Sequence, residues 1–289
     1  MLYEWFLAPF VDYAFMQRAL VGTWAMALGA SPLGVFLLLR RMSLVGDAMA
    51  HAILPGIAVG YLLAGLSLTA MTLGGLLAGI TIAALTTVVA RFTRLPEDAS
   101  LAAIYLTSLA VGVLLISSQG SSVDLVHVLF GSVLALNDAA LLLVAGIATL
   151  SLFTLAILYR PLVLECFDSA YCRSVSRLGA WIPMVFLVMV VLNLVGGFHA
   201  LGTLMAVGIL ILPAVIARFW TQQLDTMLML AVGVAILCSW LGLLQSFHFD
   251  LPSGPTIILN LGVFYLLSVL WRLRPQRRTL GVSATRSIS

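Results

Sequence analysis

The chain contains no lysine; all fourteen of its basic residues are arginine. A phosphate-binding Walker A loop requires a lysine after its glycines. The chain therefore cannot bind and hydrolyse ATP in that way, and any ATPase its work requires is a separate subunit. Charge of either sign is scarce. Asp, Glu, Lys and Arg make up 9% of the 289 residues, against 62% hydrophobic, where a soluble domain carries roughly a quarter charged residues. That deficit excludes an ordinary soluble fold, makes lipid the solvent for most of the chain, and favours one compact membrane domain. Cysteine is scarce too. Cys166 and Cys172 fall in an arginine-bearing connection and Cys238 within an apolar run, which excludes an exported disulfide, and a six-residue spacing is no zinc ribbon. Alternating ten-residue strand patterns are missing, which disfavours a β-barrel. The N-terminal MLYEWFLAPFVDYAF has neither a basic n-region nor a small-residue cleavage site, and reads as an interfacial or leading segment of the mature protein.

What is there is a set of uncharged runs: 19–39, 52–90, 99–123, 139–159, 178–217, 226–249 and 251–271. A spanning helix needs about 20 apolar residues. The two runs near twice that length each hold two spans, with breaks expected near Ala64–Thr69 and Gly196–Ala200. The fold class is therefore all-α and polytopic, with about eight or nine transmembrane helices. Arginines cluster at alternate ends of these spans, at Arg40/Arg41, Arg91/Arg94, Arg160/Arg173/Arg177, Arg218 and Arg272/Arg274/Arg277/Arg278, while the connections 64–69, 119–138, 196–200 and 247–254 have none. By the positive-inside rule the arginine connections are cytoplasmic, which puts the N-terminus outside and the C-terminus inside. Arg18 falls outside the scheme, and Arg286 follows in the tail. Residues 1–271 read as one transmembrane domain and 272–289 as a basic, disordered cytoplasmic tail. The net charge of +3 is topology made visible and implies no nucleic-acid partner.

Within the apolar background, residues 46–56, GDAMAHAILPG, place an aspartate and a histidine four apart. Asp47 and His51 share one helical face, one to two turns in from the arginine-bearing end. Pro55 has no N–H to offer the carbonyl of His51. A carboxylate, an imidazole and a released carbonyl suit a divalent cation such as Zn²⁺ or Mn²⁺. Ionisable residues within a membrane mark function by default, but a helix-tethering hydrogen bond and a proton path remain open on the spacing alone. Pro213 similarly releases the carbonyl of Ile209 and predicts a kink.

The other polar candidates each have a bland alternative. His199, in VGGFHALGT, stands at an expected outer turn, as a gate ligand or a simple turn residue. His248 and Asp250 lie at the outer mouth, as a cation lure or a solvated loop. Asp124 and His127 read as a surface feature. Gly and Ala runs such as GGLLAG at 74–79 permit close helix packing, and methionine clusters fill core. Ser43 stands at a helix start with no GxSx motif, and an intramembrane hydrolase built on His51 lacks a nucleophile.

RRMSLVGDAMAHAILPGIAVGYLL resembles the first signature of the membrane permease subunits of bacterial ABC importers for zinc, manganese and iron. ALGTLMAVGILILPAVIARFW and FDLPSGPTIILNLGVFYLLS resemble two further blocks of that family, with EDAS (97–100) and LFGSVLAL (129–136) in order between them. The resemblance spans about 15–272. It implies a non-enzymatic transport subunit of the bacterial inner membrane that forms a homodimer around a central pathway. It also implies a cytoplasmic ABC ATPase dimer and an external metal-binding protein as partners, with membrane lipid around it and no permanently bound cofactor. The family's metal-site Asp and His fall on Asp47 and His51. The stretch Arg218–Asp225, with Thr221 and Gln222, would be a short coupling helix seated in the ATPase. His199 departs from the family, where many relatives carry an aliphatic residue, and stands as a third ligand on chemistry alone. Two histidine ligands would favour Zn²⁺, with Mn²⁺ next. The alternatives are an iron-chelate or cobalamin-type permease and a proton-coupled secondary carrier.

Overall fold

A computed structural model of the chain describes residues 2–65, 67–93, 96–117, 133, 136–167 and 181–273. Asp124, His127, Cys172 and the tail from 274 lie outside the described residues, so the expectations attached to them are not taken further. Among the described residues there is no strand. Twelve helices follow in order: α1 (Leu2–Phe6), α2 (Ala8–Asp12), α3 (Ala14–Leu39), α4 (Val45–Ala52), α5 (Leu54–Ala64), α6 (Leu68–Thr93), α7 (Glu97–Ser117), α8 (Asp138–Phe167), α9 (Ile182–Leu201), α10 (Thr203–Trp220), α11 (Leu224–Phe249) and α12 (Ser253–Leu273). Seven segments, with α4 and α5 counted together, are long and apolar enough to cross a membrane, and α7 and α9 contribute two shorter apolar stretches. The multi-pass helical reading therefore holds.

The core sits around α3, which packs against α8, α9, α10 and α11. Its stretch Gly29–Leu37 is buried throughout, and an apolar helix buried on all sides belongs at the centre of a bundle. Leucines and phenylalanines instead stand outward on the peripheral helices, for example Leu73 and Leu77 on α6 and Phe153 and Ile157 on α8. A bundle with large apolar side chains inside and out is built for a lipid solvent.

The chain breaks where backbone geometry demands glycine. Gly65, at φ +64°, ends α5 within the expected window at 64–69. The second break differs from expectation. Gly196 and Gly197 stay helical because their missing side chains admit neighbours: a Cβ on Gly196 would lie 2.6 Å from Ile147, and one on Gly197 would lie 2.7 Å from Ala206. The chain turns instead at Gly202, whose φ of +92° strains any residue with a Cβ. The small-residue reading of GGLLAG holds. Gly74 meets Gly56 backbone to backbone, and a Cβ on Gly60 would meet Ala70 at 2.5 Å, so α5 and α6 form a close-approach seam.

Two polar contacts settle groups that would otherwise be costly. Arg18, the arginine at the wrong end for the positive-inside pattern, pairs with Asp138 at 3.0 Å and ties the start of α3 to that of α8. The released carbonyl of Ile209 accepts a hydrogen bond from the buried Ser31 hydroxyl of α3 at 3.2 Å. Such interhelical bonds average about 0.6 kcal/mol in a membrane protein. α10 continues through Pro213 as one helix.

Candidate functional site

The local sequence explains why α4 is only eight residues long. Val45, Ala48, Met49 and Ala52 form an i, i+3, i+4, i+7 stripe, all buried, which packs α4 against the bundle. Gly46 lets it approach α10 closely; a Cβ there would lie 2.9 Å from Leu210. Pro55 then breaks the ladder. Helix α4 stops at Ala52, and the N–H of Ile53 donates to the Met49 carbonyl at 3.1 Å. The Gly56 N–H turns back to Ile53, which strands the carbonyl of Ala52. Ser108 of α7 repairs that loss, donating from its hydroxyl at 2.9 Å.

Asp47 and His51 point away from the buried stripe, on the same face, as the spacing predicted. Asp47 Oδ1 and His51 Nε2 lie 3.8 Å apart, with the two side chains 64% and 43% exposed respectively. That distance is too long for a direct hydrogen bond, so the pair is not locked into itself. Both line an open cavity of about 410 Å³ whose further walls include Thr203, Leu204 and Val207 of α10 and Ile258 of α12. A carboxylate oxygen, an imidazole nitrogen and a hydroxyl oxygen thus face a mostly apolar recess. The donor types suit a first-row divalent metal. Among the described residues no three His, Cys, Asp or Glu side chains come together.

The other candidates are distributed differently. His199 falls in the last turn of α9 rather than in a connection, because the chain turns at Gly202; its side chain lies outside the described set. His248 is engaged elsewhere: Nδ1 donates to the Leu244 carbonyl at 2.9 Å, and the ring stacks on Trp5 at 4.3 Å. Asp250 caps α11 in the left-handed conformation, at φ +51°. Neither lines the Asp47 cavity.

The stretch Arg218–Asp225 is not a helix of its own, contrary to expectation. Arg218 belongs to the last turn of α10 and Asp225 to the first turn of α11. Thr221 and Gln222 lie in the three-residue link between them. Thr221 is extended, and its Oγ1 accepts the Gln223 N–H at 3.2 Å, which turns the chain too tightly for another helix. Sequence reasoning also missed Ser31, Ser108 and Thr203. Thr203 had a local signal, standing directly after the glycine that opens α10. The two serines had none, because the carbonyls they serve lie 178 and 56 residues away.

A helical membrane bundle with an ionisable pair facing an apolar recess is the architecture of a solute pathway. The comparisons agree with that class: the profile of the ABC 3 transport family matches residues 12–272. The chain belongs to that family. It is 32% identical over 279 residues, 94% of this chain and 96% of the relative, to the manganese import system permease protein ScaB of Streptococcus parasanguinis. It is 28% identical, over 93% of this chain and 98% of the relative, to a probable iron transport system membrane protein of Haemophilus influenzae. A solved structure described as PsaBC from Streptococcus pneumoniae in complex with Fab superposes with a TM-score of 0.79 at 29% identity, covering 97% of this chain and 99% of that one. An inward-facing, putative metal-chelate type ABC transporter shares the fold, at TM-score 0.72 and 16% identity.

Proposed function

We propose that this chain is the membrane permease subunit of an ATP-driven importer of a divalent first-row metal. It works as a homodimer in the bacterial inner membrane, with an ATPase dimer on the arginine-bearing, cytoplasmic face and a metal-binding protein delivering cargo outside. The observation that carries this reading is the Asp47–His51 pair, side by side yet not bonded to each other, at the wall of an apolar cavity. The three donor groups of one protomer, from Asp47, His51 and Thr203, fall short of the four or more that such a cation takes, and a second protomer facing the same pathway would double them. The permease performs no covalent chemistry. ATP binding and hydrolysis in the partner switch the pathway between outward- and inward-open states, and the ion leaves when the two side chains lose their common geometry.

Manganese is the cargo we favour over zinc. Asp47 and Thr203 line the cavity beside His51, and carboxylate and hydroxyl donors suit manganese. The relatives described above carry manganese and iron in their names.

The test is the metal content of the purified protein, wild type beside Asp47→Ala/His51→Ala, after equal exposure to Mn²⁺ and Zn²⁺. Retained manganese that is lost in the double variant supports the reading. Retained zinc with the same loss keeps the site and changes the cargo. Equal metal in both proteins refutes the site. Gradient-driven uptake by the permease alone in liposomes would replace the ATP-driven reading with a proton-coupled carrier.

A further inference from the structure

We infer that the hydrogen bond from Tyr159 to Asp225 is the tie through which movement of the 221–223 link reaches the helix bearing Asp47 and His51, which makes Tyr159 a positioning residue of the transport cycle. The inference rests on the transport reading above. Asp225 stands in the first turn of α11, directly after that link. Its carboxylate accepts from the hydroxyl of Tyr159 on α8, 66 residues away, in an exposed bond that links the two helices while contributing little to stability.

Behind Tyr159 the contacts are aromatic and rigid. Its ring meets Phe36 of α3 edge-on, at 6.3 Å and 83°. Phe36 meets Phe186 of α9 in the same manner, at 6.4 Å and 69°. The guanidinium of Arg40 lies 5.4 Å over the Phe186 ring. Phe36 and Phe186 are fully buried, and close-packed interiors pass on a displacement rather than absorb it. Arg40 caps α3 and begins the short connection into α4. The other side of the link is held elsewhere. Trp220 donates to Ser268 at 3.0 Å and Arg272 donates to the Phe219 carbonyl at 2.8 Å, so the end of α10 is fastened to α12. A push on the link therefore has two separate exits, and the one through Asp225 leads to α3 and α4.

The experiment uses the assembled importer, permease with ATPase and binding protein, in proteoliposomes. Manganese uptake and ATP hydrolysis are measured together for wild type, Tyr159→Phe, Asp225→Asn and the double variant. Uptake per ATP should fall about threefold to tenfold in each single variant, the scale of one ordinary net hydrogen bond. The double variant should be no worse than the singles, as expected of two residues acting through one bond. Metal retention and thermal stability of the purified permease should stay at wild-type values, a result that a merely structural clamp would not give. Wild-type uptake per ATP in Tyr159→Phe overturns the inference, as does a loss of coupling matched by a loss of stability. Absence of ATP-driven uptake in the wild type removes the transport reading itself, and the inference with it.

Discussion

Replacing Gly34 by alanine tests the central packing of the bundle. A Cβ at that position would overlap the Leu210 carbonyl oxygen outright, with the carbonyl carbon at 2.8 Å and the Ala214 Cβ at 3.5 Å. Favourable contacts begin above about 3.2 Å for carbon to oxygen, so α3 and α10 must part by roughly 1.5 Å. The bond from Ser31 to Ile209, already 3.2 Å long, then breaks. Overpacking costs about 1–3 kcal/mol and the stranded carbonyl about 1 kcal/mol, offset by up to about 1 kcal/mol from the better helix propensity of alanine. The net loss is about 2 kcal/mol, or a fall in Tm of roughly 4–8 °C for a chain of this size. Gly146 is the internal control, because a Cβ there meets nothing within 4 Å; Gly146→Ala should hold or slightly raise Tm. Thermal unfolding of the detergent-solubilised protein reads both. Adding Ser31→Ala should cost about 1 kcal/mol in the wild type and almost nothing beside Gly34→Ala. Equal melting of the Gly34 and Gly146 variants, or an identical Ser31 effect in both backgrounds, refutes the reasoning.

Three further outcomes are expected. Ser108→Ala strands the Ala52 carbonyl beside His51 and should lower manganese affinity about threefold to tenfold by calorimetry; unchanged affinity would detach Ser108 from the site. Gly202→Ala forces a Cβ onto a φ of +92° and should cost about 1–2 kcal/mol, visible as a lower Tm, with an unaltered melt counting against strain at that turn. The exposed Arg18–Asp138 pair should show a coupling of at most about 1 kcal/mol in a double-mutant cycle, and the reversed pair Arg18→Asp/Asp138→Arg should melt like the wild type. A coupling well above that would mean the pair is held far more rigidly than its exposure implies.

The sequence carried local information faithfully and distant information poorly. Uncharged runs and arginine clusters marked the spans because lipid punishes charge wherever it falls. The placement of Asp47 and His51 on one face followed from helical periodicity, the interruption at Pro55 from its missing N–H, and the break near 64–69 from the length of the uncharged run. The break at Gly202 was misplaced to Gly196–Ala200, since two adjacent glycines look like a turn until Ile147 and Ala206 are seen to need their space. The Arg218–Asp225 helix was implied by the family resemblance, and nothing in its composition announces that Thr221 will cap its own turn. Walls of the cavity on α10 and α12 were not legible at all: Val207 and Ile258 look like any other lipid-facing residues until the bundle brings them opposite Asp47.

The division at Ile53 turns α4 into a short lever. The α5–α6 seam holds the chain just beyond that residue, leaving Ile53 as the fulcrum. At about 1.5 Å of rise per residue, Asp47 stands about 9 Å from it and His51 about 3 Å. A tilt of about 10° would sweep the carboxylate about 1.6 Å across the cavity and the imidazole about 0.5 Å by the same geometry. The histidine would act as the pivot of the grip and the aspartate as its moving jaw, so an ion held between them and the wall opposite would lose its oxygen first.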